Sequence, residues 1–519
     1  MGLTLVLSVL TFPGVLSGKT IYVDPDASGA NDGSSWANAY NYLQDALADA
    51  NSAEKPVEIR VAQGVYMPDR GGGKTPGDWK ATFQLVDEVV IKGGFAGVSG
   101  VDPDVRDVKV YKTMLSGDLN GDDLEVANPE DLVSQLTRAE NSSSIADGNG
   151  TKATAVLEGV TVSGGWIGMR NEFGSPTVTN CTFSGNCGGG MFNNYSSATL
   201  INCTFTGNLA LRGGGVYNNR SNPRLANCTF WGNSAAGLGG GMYNEYSSPT
   251  LTNCTFSRNS ARSGGGMYSS WVGTPILTDC TFAANRAGRS GGGMYNAYNC
   301  KPTITNCTFS GNRAGHDGGG IRNFYNSNPS VANCTFSGNS AEGQGGAMDN
   351  SYSSATLTNC ILWGNTLPQI SANASIAYSD IQGGFTGIGN VDAHAHFTRP
   401  GYWDRNGTPE DPNDDFWIDG DYHLKSQAGR WDPAAQSWVN DDVTSSCIDA
   451  GDPRSPIGLE PFPNGGVVNM GAYGGTAEAS KSYFGDPVCE TIVAGDINGD
   501  CKVDLADFAI MALHWLEEH

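Results

Sequence analysis

Positive charge, charge of any kind and long apolar runs are all scarce in this chain of 519 residues. Only 30 Lys and Arg stand against 53 Asp and Glu, and the net charge of −23 argues against a nucleic acid or an anionic membrane as partner of the whole surface. Charged residues make up 16% and glycines number 72, a composition too apolar for a disordered chain and too glycine-rich for an array of helices. Past the N-terminus no apolar run approaches the ~20 residues that cross a bilayer, so we expect no integral membrane span.

The one extended apolar stretch lies at the N-terminus, over residues 3–17. It ends in small residues near Ser17 and Gly18, as the apolar core of a secretory signal peptide does, but no Lys or Arg precedes it. Either the start given falls short of the true one, or the segment is a weak signal. The sequence predicts a signal peptide over residues 1–18 and a secreted or cell-surface location.

An internal repeat is the most informative feature that the sequence does have. Its cysteines recur at steps of 22 to 27 residues, each inside a phrase typified by residues 251–256, Leu-Thr-Asn-Cys-Thr-Phe. Phe and Asn columns keep step with the cysteines, and a glycine run leading into Met, Val or Ile follows. A period of this length indicates stacked supersecondary units. The repeat cysteines are Cys181, Cys203, Cys228, Cys254, Cys280, Cys307, Cys334 and Cys360.

Strand geometry assigns each column a place. Side chains two residues apart share a strand face, so we expect Cys254 and Phe256 to point inward together and Asn253 to lie at a bend. Coils stacked about 4.7–4.9 Å apart place like on like, which gives one cysteine ladder, one phenylalanine ladder and two asparagine ladders. Because crossovers between parallel strands are right-handed, the sequence predicts an all-β fold, a single-stranded right-handed parallel β-helix.

The repeat divides the chain. Regular coils are expected over residues 157–384, and residues 19–156 are expected to hold an N-terminal cap and irregular first coils. A short amphipathic helix over residues 40–48 is placed to plug the open end. Residues 385–488, crowded with Trp and Tyr, are expected to form an aromatic cap over the C-terminal end, with a sugar-stacking surface as the alternative.

Thirteen cysteines in an exported protein would ordinarily suggest disulfides, but the spacing argues otherwise for the repeat. In-register neighbours present their Cβ atoms at strand spacing, a poor fit to the ~3.8 Å that a disulfide prefers. We therefore expect the eight repeat cysteines to be buried free thiols. The Asn-Cys-Thr sequons are expected to follow from the ladder and not to be glycan sites. Cys489 and Cys501 flank a loop near the C-terminus and are predicted to pair with each other.

That loop lies in the final segment, residues 489–519, and its sequence predicts a calcium site followed by an apolar-rich helix. Oxygen-bearing residues occupy loop positions 1, 3, 5, 9 and 12, and a backbone carbonyl is available at position 7, which suits a hard cation that needs six or more oxygens. A similar opening at residues 118–123 lacks acids at positions 9 and 12 and is expected to be a surface turn. The expected ligands are Asp496, Asn498, Asp500, Asp504, Asp507 and the carbonyl of Lys502.

Two family resemblances follow from these motifs. Residues 494–518 resemble the F-hand loop and helix of a type I dockerin, one of the two repeats of a complete module, although Cys501 stands where such loops usually have Gly. That resemblance implies calcium-dependent attachment, with a cohesin-like domain as partner. The Phe-x-x-Asn and Gly-Gly-Ala/Gly-Ile/Met/Val pairs of residues 157–384 resemble the repeats of polymorphic outer-membrane proteins, which implies an adhesive β-helix of the secreted bacterial type.

Few residues in the coils suggest chemistry. Asp317 and Glu342 hold similar places in neighbouring coils and are the best candidates for a catalytic carboxylate pair. Arginines recur at one phase of the repeat, and on so acidic a protein this strip suits an acidic glycan, with a solvated loop edge as the plainer interpretation. The arginines of the strip are Arg212, Arg262, Arg286, Arg289 and Arg313.

These patterns together predict an exported β-helix that presents a long surface to an extracellular polysaccharide or a surface protein. We expect a binding or adhesion protein rather than an enzyme, since a fold alone does not assign an activity. The alternative is a secreted polysaccharide lyase or glycoside hydrolase of the pectate-lyase-like type. Calcium is the only cofactor that the sequence predicts.

Overall fold

The computed structural model describes residues 18–126, 128–371, 373–407 and 415–484, together with Val503, Leu505, Phe508 and Met511. Its contacts divide the chain into a first unit, which ends at residue 124 and resumes over 135–182, and a second unit of residues 125–134 and 183 onward. Both units are built from short parallel strands that form ladders with the coil before and the coil after. The fold is the right-handed parallel β-helix that the repeat predicts.

The first unit contains the helix and the irregular coils. The α-helix Leu43–Ser52 begins and ends a few residues later than predicted, and its buried face packs against the first strands, as expected of a plug. Sheet A holds Lys19–Val23, Val57–Ala62, Val89–Phe95, Val156–Glu158 and Thr177–Thr179. Sheet B holds Gly64–Tyr66, Thr113–Ser116 and Thr161–Ser163, and sheet C holds Phe83–Gln84, Ser144–Asp147 and Ile167–Glu172. The 3-10 helices are Gly97–Ser99 and Leu136–Arg138, and the strand Thr182–Ser184 spans the division between the units.

The second unit carries the regular coils, with four strand positions instead of three. Sheet A continues with Thr199–Ile201, Arg224–Ala226, Thr250–Thr252, Ile276–Thr278, Thr303–Thr305, Ser330–Ala332, Ala355–Thr358 and Ala374–Ala377. Sheet B holds Thr204–Thr206, Thr229–Trp231, Thr255–Ser257, Thr281–Ala283, Thr308–Ser310, Thr335–Ser337, Ile361–Trp363 and Asp380–Ile381. Sheet C holds Met191–Asn194, Val216–Asn219, Met242–Glu245, Met267–Ser270, Met294–Ala297, Ile321–Phe324, Met348–Ser351 and Ile370–Ser371. Sheet D, which the sequence analysis did not foresee, holds Leu209–Arg212, Ser234–Leu238, Ser260–Ser263, Arg286–Ala287, Arg313–Ala314 and Ser340–Ala341.

Like residues stack on like through the interior of these coils. Phe230 pairs in register with Phe256, their ring centroids are 4.4 Å apart, and the planes differ by 1°. Asn259 donates to Asn285 Oδ1 at 2.9 Å and to the carbonyl of Phe230 at 2.9 Å, so the buried amide is satisfied by its neighbours. The predicted phenylalanine ladder and inner asparagine ladder are confirmed.

The cysteine ladder is confirmed as well. All eight repeat cysteines are buried thiols outside any disulfide, as are Cys187, Cys300 and Cys447. Burial raises the pKa of the Cys181 thiol to about 12, so it stays protonated at neutral pH. The predicted Cys489–Cys501 pair lies outside the described residues.

The asparagine before each cysteine lies at a bend, as predicted. Asn253 has a φ of 50°, and its side chain donates to Asn227 Oδ1 at 2.8 Å, which builds the outer asparagine ladder. The glycine runs turn the chain where no Cβ fits, since a Cβ on Gly240 would lie 2.3 Å from the carbonyl oxygen of Ser260.

The C-terminal region lies against the sides of the coils as well as against the last one. Three antiparallel hairpins belong to it: Phe397–Arg399 with Asp421–Leu424, Tyr402–Asp404 with Phe416–Ile418, and Arg430–Asp432 with Ser437–Val439. Its backbone accepts from the bend amides of Asn306 and Asn333 at Gly474, and Trp417 is buried against Gly311 and Gly338. Burial removes Trp417 from any sugar-stacking surface. No helix among the described residues is long and apolar enough to cross a membrane.

Candidate functional site

Sheet D forms the floor of a groove of about 630 Å³ on the second unit. Its strands pair through a column of small residues, in which Ala235, Ala261 and Ala287 follow one another in register and are buried. The groove falls within the roughly 300–1,000 Å³ typical of ligand clefts. The residues that line it are Glu130, Ser234, Ala235, Ala236, Ser260, Ala261, Arg262, Arg286, Gly288, Arg289 and His316.

Three arginines of the predicted strip meet in this groove. Arg262, Arg286 and Arg289 all line it, and all three are exposed. Backbone hydrogen bonds hold them in successive coils, since the Arg289 amide donates to the Arg262 carbonyl at 2.7 Å and the His316 amide donates to the Arg289 carbonyl at 2.7 Å. Neither Arg262 nor Arg289 forms an ion pair within the part of the chain that the structure describes.

The two ends of the strip differ from its middle. Arg212 lies 4.0 Å from a carboxylate oxygen of Glu245, and its guanidinium lies over the Tyr243 ring. Arg313 lies 3.7 Å from Asp415 Oδ2 and stacks 4.1 Å from the centroid of the Trp403 ring. Burial lowers the pKa of Arg313, Asp415 opposes that effect, and Arg286 adds to it. The groove therefore concentrates its uncompensated positive charge around Arg262 and Arg289.

Uncharged polar groups and one carboxylate also line the groove. Ser260 Oγ donates to Ser234 Oγ at 3.0 Å, and Ser234 Oγ donates to Glu130 Oε1 at 3.3 Å. Glu130 belongs to the 3-10 helix Pro129–Ser134, which is anchored by packing of the buried Leu132 against Cys187 and Leu209. A segment outside the regular coils thus contributes one carboxylate to the site, while the hydroxyl groups come from the coils themselves.

The two predicted catalytic carboxylates have different surroundings. Asp317 Oδ2 lies 2.6 Å from Arg322 Nη1, and the same guanidinium nitrogen lies 2.5 Å from Asp349 Oδ2. Asp349 is 3% exposed, and its burial raises the pKa of its carboxyl group. Glu342 is exposed, and the partner of Asp317 in the described residues is Arg322 rather than Glu342. Asp317 thus belongs to a structural ion-pair cluster, and a catalytic role for the pair stays a prediction.

The predicted calcium ligands of the C-terminal loop, residues 496–507, lie outside the described residues. Near the end of the loop and beyond it, Leu505, Phe508 and Met511 have helical backbone and are exposed. Calcium binding there stays a prediction.

A double row of aromatic rings on sheet C was missed by the sequence analysis. Tyr268 stacks on Tyr295 with centroids 4.7 Å apart, and Trp271, at the bend that follows the strand, stacks on Tyr298 at 4.5 Å. Tyr recurring directly after the Met, Val or Ile of several glycine runs was the signal that could have revealed it. Because these stacked rings cover one another's faces, the rows suit coil-to-coil packing better than sugar stacking. The rings of the two rows are Tyr217, Tyr243, Tyr268 and Tyr295, and Tyr246, Trp271 and Tyr298.

Comparison with known families agrees with this architecture. Residues 145–288 and 239–391 match the model of the right-handed β-helix region, in agreement with the observed fold. Residues 409–451 match a family model described as disaggregatase related. A search among curated proteins found no match.

Solved structures offer only distant likeness. One match is the crystal structure of the pectate lyase Pel9A, with 14% sequence identity and a TM-score of 0.44. The match covers 88% of this chain and 97% of the Pel9A chain. Another match is the catalytic unit of a thermostable GH87 α-1,3-glucanase from Streptomyces thermodiastaticus strain HF3-3, with 10% sequence identity and a TM-score of 0.33. The match covers 73% of this chain and 69% of the glucanase chain.

Proposed function

We propose that this protein is exported and binds an acidic polysaccharide in the sheet D groove. The observation that carries the proposal is the placement of Arg262, Arg286 and Arg289 in one groove of a protein whose net charge is −23. Neither Arg262 nor Arg289 has an ion-pair partner among the described residues. Such a site suits an anion supplied from outside the chain.

The guanidinium group favours particular anions. Its planar fork of donors matches a carboxylate or a sulfate through two parallel hydrogen bonds. Several such groups, spaced along successive coils, suit a polymer that repeats its charge along its length. The hydroxyl groups of Ser234 and Ser260 lie in the same groove and offer partners to sugar hydroxyls. A uronate polysaccharide is the chemistry that fits both features.

Export and attachment complete the proposed function. The apolar residues 3–17 support passage out of the cell, and the calcium loop of residues 496–507 supports attachment through a cohesin-like domain or another surface protein. On this proposal the coils hold the glycan and the C-terminal segment holds the protein in place.

A retention experiment tests the groove. The variant with Arg262→Ser, Arg286→Ser and Arg289→Ser should bind immobilised polygalacturonate at least about tenfold more weakly than the parent, because each charged hydrogen bond contributes roughly 1.5–3 kcal/mol. Its elution should also depend less on salt, since fewer charges are engaged.

A matched variant separates the site from the net charge. Arg224, Arg258 and Arg399 are exposed and lie outside the groove. Their replacement by Ser changes the net charge equally and should leave retention close to that of the parent. Equal losses in the two triple variants would show that overall charge, not the groove, governs retention.

A second candidate function is cleavage of the same polymer by β-elimination. It is favoured by His316, which lines the groove beside the arginines and supplies an imidazole within reach of a bound uronate. In such a reaction a base takes the C5 proton, a C4–C5 double bond forms, and the C4–O bond breaks with protonation of the leaving oxygen. Arginines beside the carboxylate would stabilise the charge that develops.

Product absorbance distinguishes the two candidates. A lyase would produce an unsaturated uronide that absorbs in the ultraviolet, and His316→Ala would abolish it while retaining binding. A binding protein would retain polygalacturonate without any rise in absorbance or in reducing ends. The second outcome is the one we expect.

A further inference from the structure

Four carboxylates meet in the first unit, away from the groove. Each of Asp118, Asp122, Asp123 and Glu140 presents an oxygen atom, and these oxygens all lie within 4.8 Å of one another. The three aspartates follow the strand Thr113–Ser116, and Glu140 comes shortly before the strand Ser144–Asp147. The fold therefore brings like charges together from the beginning and the end of the segment between these two strands.

The aspartate turn is held by its own backbone. The amides of Gly121 and Asp123 donate to the two carboxylate oxygens of Asp118, at 2.7 and 3.1 Å. Gly121 has a φ of 75°, which lets the chain reverse tightly there. These bonds explain the turn, but they do not balance the charge of the other carboxylates.

Some buried oxygens in and beside the cluster have no hydrogen-bond partner in the described part of the chain. The Asp123 side chain is only 10% exposed, and its Oδ2 accepts from Asn141 Nδ2 at 2.8 Å and lies 3.3 Å from Arg138 Nη1. Asp123 Oδ1 and Glu140 Oε1 are buried and have no hydrogen-bond partner among the residues that the structure describes. The adjoining Asn141 is 7% exposed, and its Oδ1 likewise has none. A buried acceptor without a donor is costly, and a cation among these oxygens would satisfy them together.

We propose that this cluster is a calcium site, with Asp118, Asp122, Asp123 and Glu140 as ligands and the side-chain oxygen Oδ1 of Asn141 beside them. Calcium–oxygen distances of about 2.3–2.6 Å place ligands on opposite sides of one ion roughly 4.6–5.2 Å apart, which matches the spread of the cluster. Water and loop carbonyls would supply the remaining ligands of a six- to eight-coordinate ion.

The ligand set selects among metals. All of the proposed ligands are oxygens, which suits calcium or magnesium and not zinc. An irregular set drawn from a turn and a distant segment suits the flexible coordination of calcium better than the near-octahedral shell of magnesium. The guanidinium of Arg138 offsets one of the four carboxylate charges and leaves three, so the site still attracts a divalent cation.

Calorimetry on the full chain tests the site, with Asp496→Ala included to disable the predicted C-terminal loop. This background should bind one calcium at the cluster, and adding Glu140→Gln should weaken that binding at least tenfold. Calcium should raise the Tm of the background protein, but not that of the Glu140→Gln variant. Glu125→Gln, an exposed glutamate outside the cluster, is the matched control and should behave as the background does.

Other outcomes would overturn the proposal. Absence of calcium binding in the Asp496→Ala background would do so, as would binding that Glu140→Gln leaves unchanged. If Glu140→Gln fails to fold, Asp122→Asn alters an exposed carboxylate of the same cluster and should show the same loss. A preference for magnesium over calcium would contradict the choice of ion.

Discussion

The aromatic rows on sheet C and the arginines on sheet D follow the same repeat, yet they differ in what their side chains contact. Tyr268, Tyr295 and Trp271 lie against rings from neighbouring coils, and those contacts cover the ring faces. Arg262 and Arg289 line an open groove and have no ion-pair partner in the described part of the chain. Recurrence in a solenoid therefore indicates packing where neighbouring side chains satisfy one another, and it indicates a candidate binding surface where they do not.

The same contrast appears within the arginine strip. Arg313 pairs in register with Arg286 of the groove, but Asp415 lies beside it. Arg212 pairs in register with Leu238 rather than with an arginine, and Glu245 lies beside it. Their neighbours come from outside the arginine pattern. Phase alone thus gives the position of a side chain, and its surroundings decide whether it is available to a ligand.

The interior ladder should show the largest effect on stability. Phe256→Ala removes a fully buried ring that stacks on both neighbours, and it should lower the free energy of unfolding by about 3–5 kcal/mol. Urea denaturation measures the change. Arg262→Ser, on the groove, should alter stability by less than about 0.5 kcal/mol. A comparable loss of stability in the two variants would contradict the distinction between the packed phenylalanine ladder and the arginines that line the groove.

A buried carboxylate oxygen without a hydrogen-bond partner should affect the free energy of unfolding more than an exposed one does. Glu460 is 7% exposed, and its Oε1 accepts from the amides of Asn469 and Gly475 at 2.8 Å. Its Oε2 has no hydrogen-bond partner within the described ranges of the chain. Burial raises the pKa of Glu460 from 4.5 to about 7. Between these values the folded state binds more protons than the unfolded state, so the free energy of unfolding falls as pH rises.

The fall attributable to Glu460 should approach about 3 kcal/mol between pH 4.5 and 7. Glu460→Gln retains the oxygen that accepts both amides but cannot ionise, so it should remove this part of the pH dependence. Urea denaturation across that range provides the measurement. An unchanged pH profile in the variant would show that Glu460 does not titrate in this way.

The outer aromatic rows should show the smallest effect. Trp271→Ala removes a stacked ring and should lower the free energy of unfolding by roughly 0.5–1.5 kcal/mol beyond the loss of its buried area. Its retention on polygalacturonate should match that of the parent. Trp231, which is 48% exposed on sheet B, is a matched control for removal of an indole. A marked loss of retention in Trp271→Ala alone would make the aromatic rows part of the binding surface.

Features that repeat were predictable from the sequence, and features that depend on a single distant segment were not. The positions of Cys254, Phe256 and Asn253 follow from one strand period and one stacking distance. Sheet D was missed because its strands are only two to five residues long and carry small residues. Glu130 and Glu140 gave no local signal, because the side chains that lie beside each of them come from distant parts of the sequence.

Protection of arginines from chemical modification tests the central claim most directly. Phenylglyoxal reacts with exposed guanidinium groups, and mass spectrometry of the digested protein reports the rate at each arginine. With an oligogalacturonate present, Arg262, Arg286 and Arg289 should react several-fold more slowly, while Arg224 and Arg258, outside the groove, should react at unchanged rates. Equal rates with and without the oligosaccharide at all five positions, or protection confined to the two outside the groove, would contradict binding in the sheet D groove.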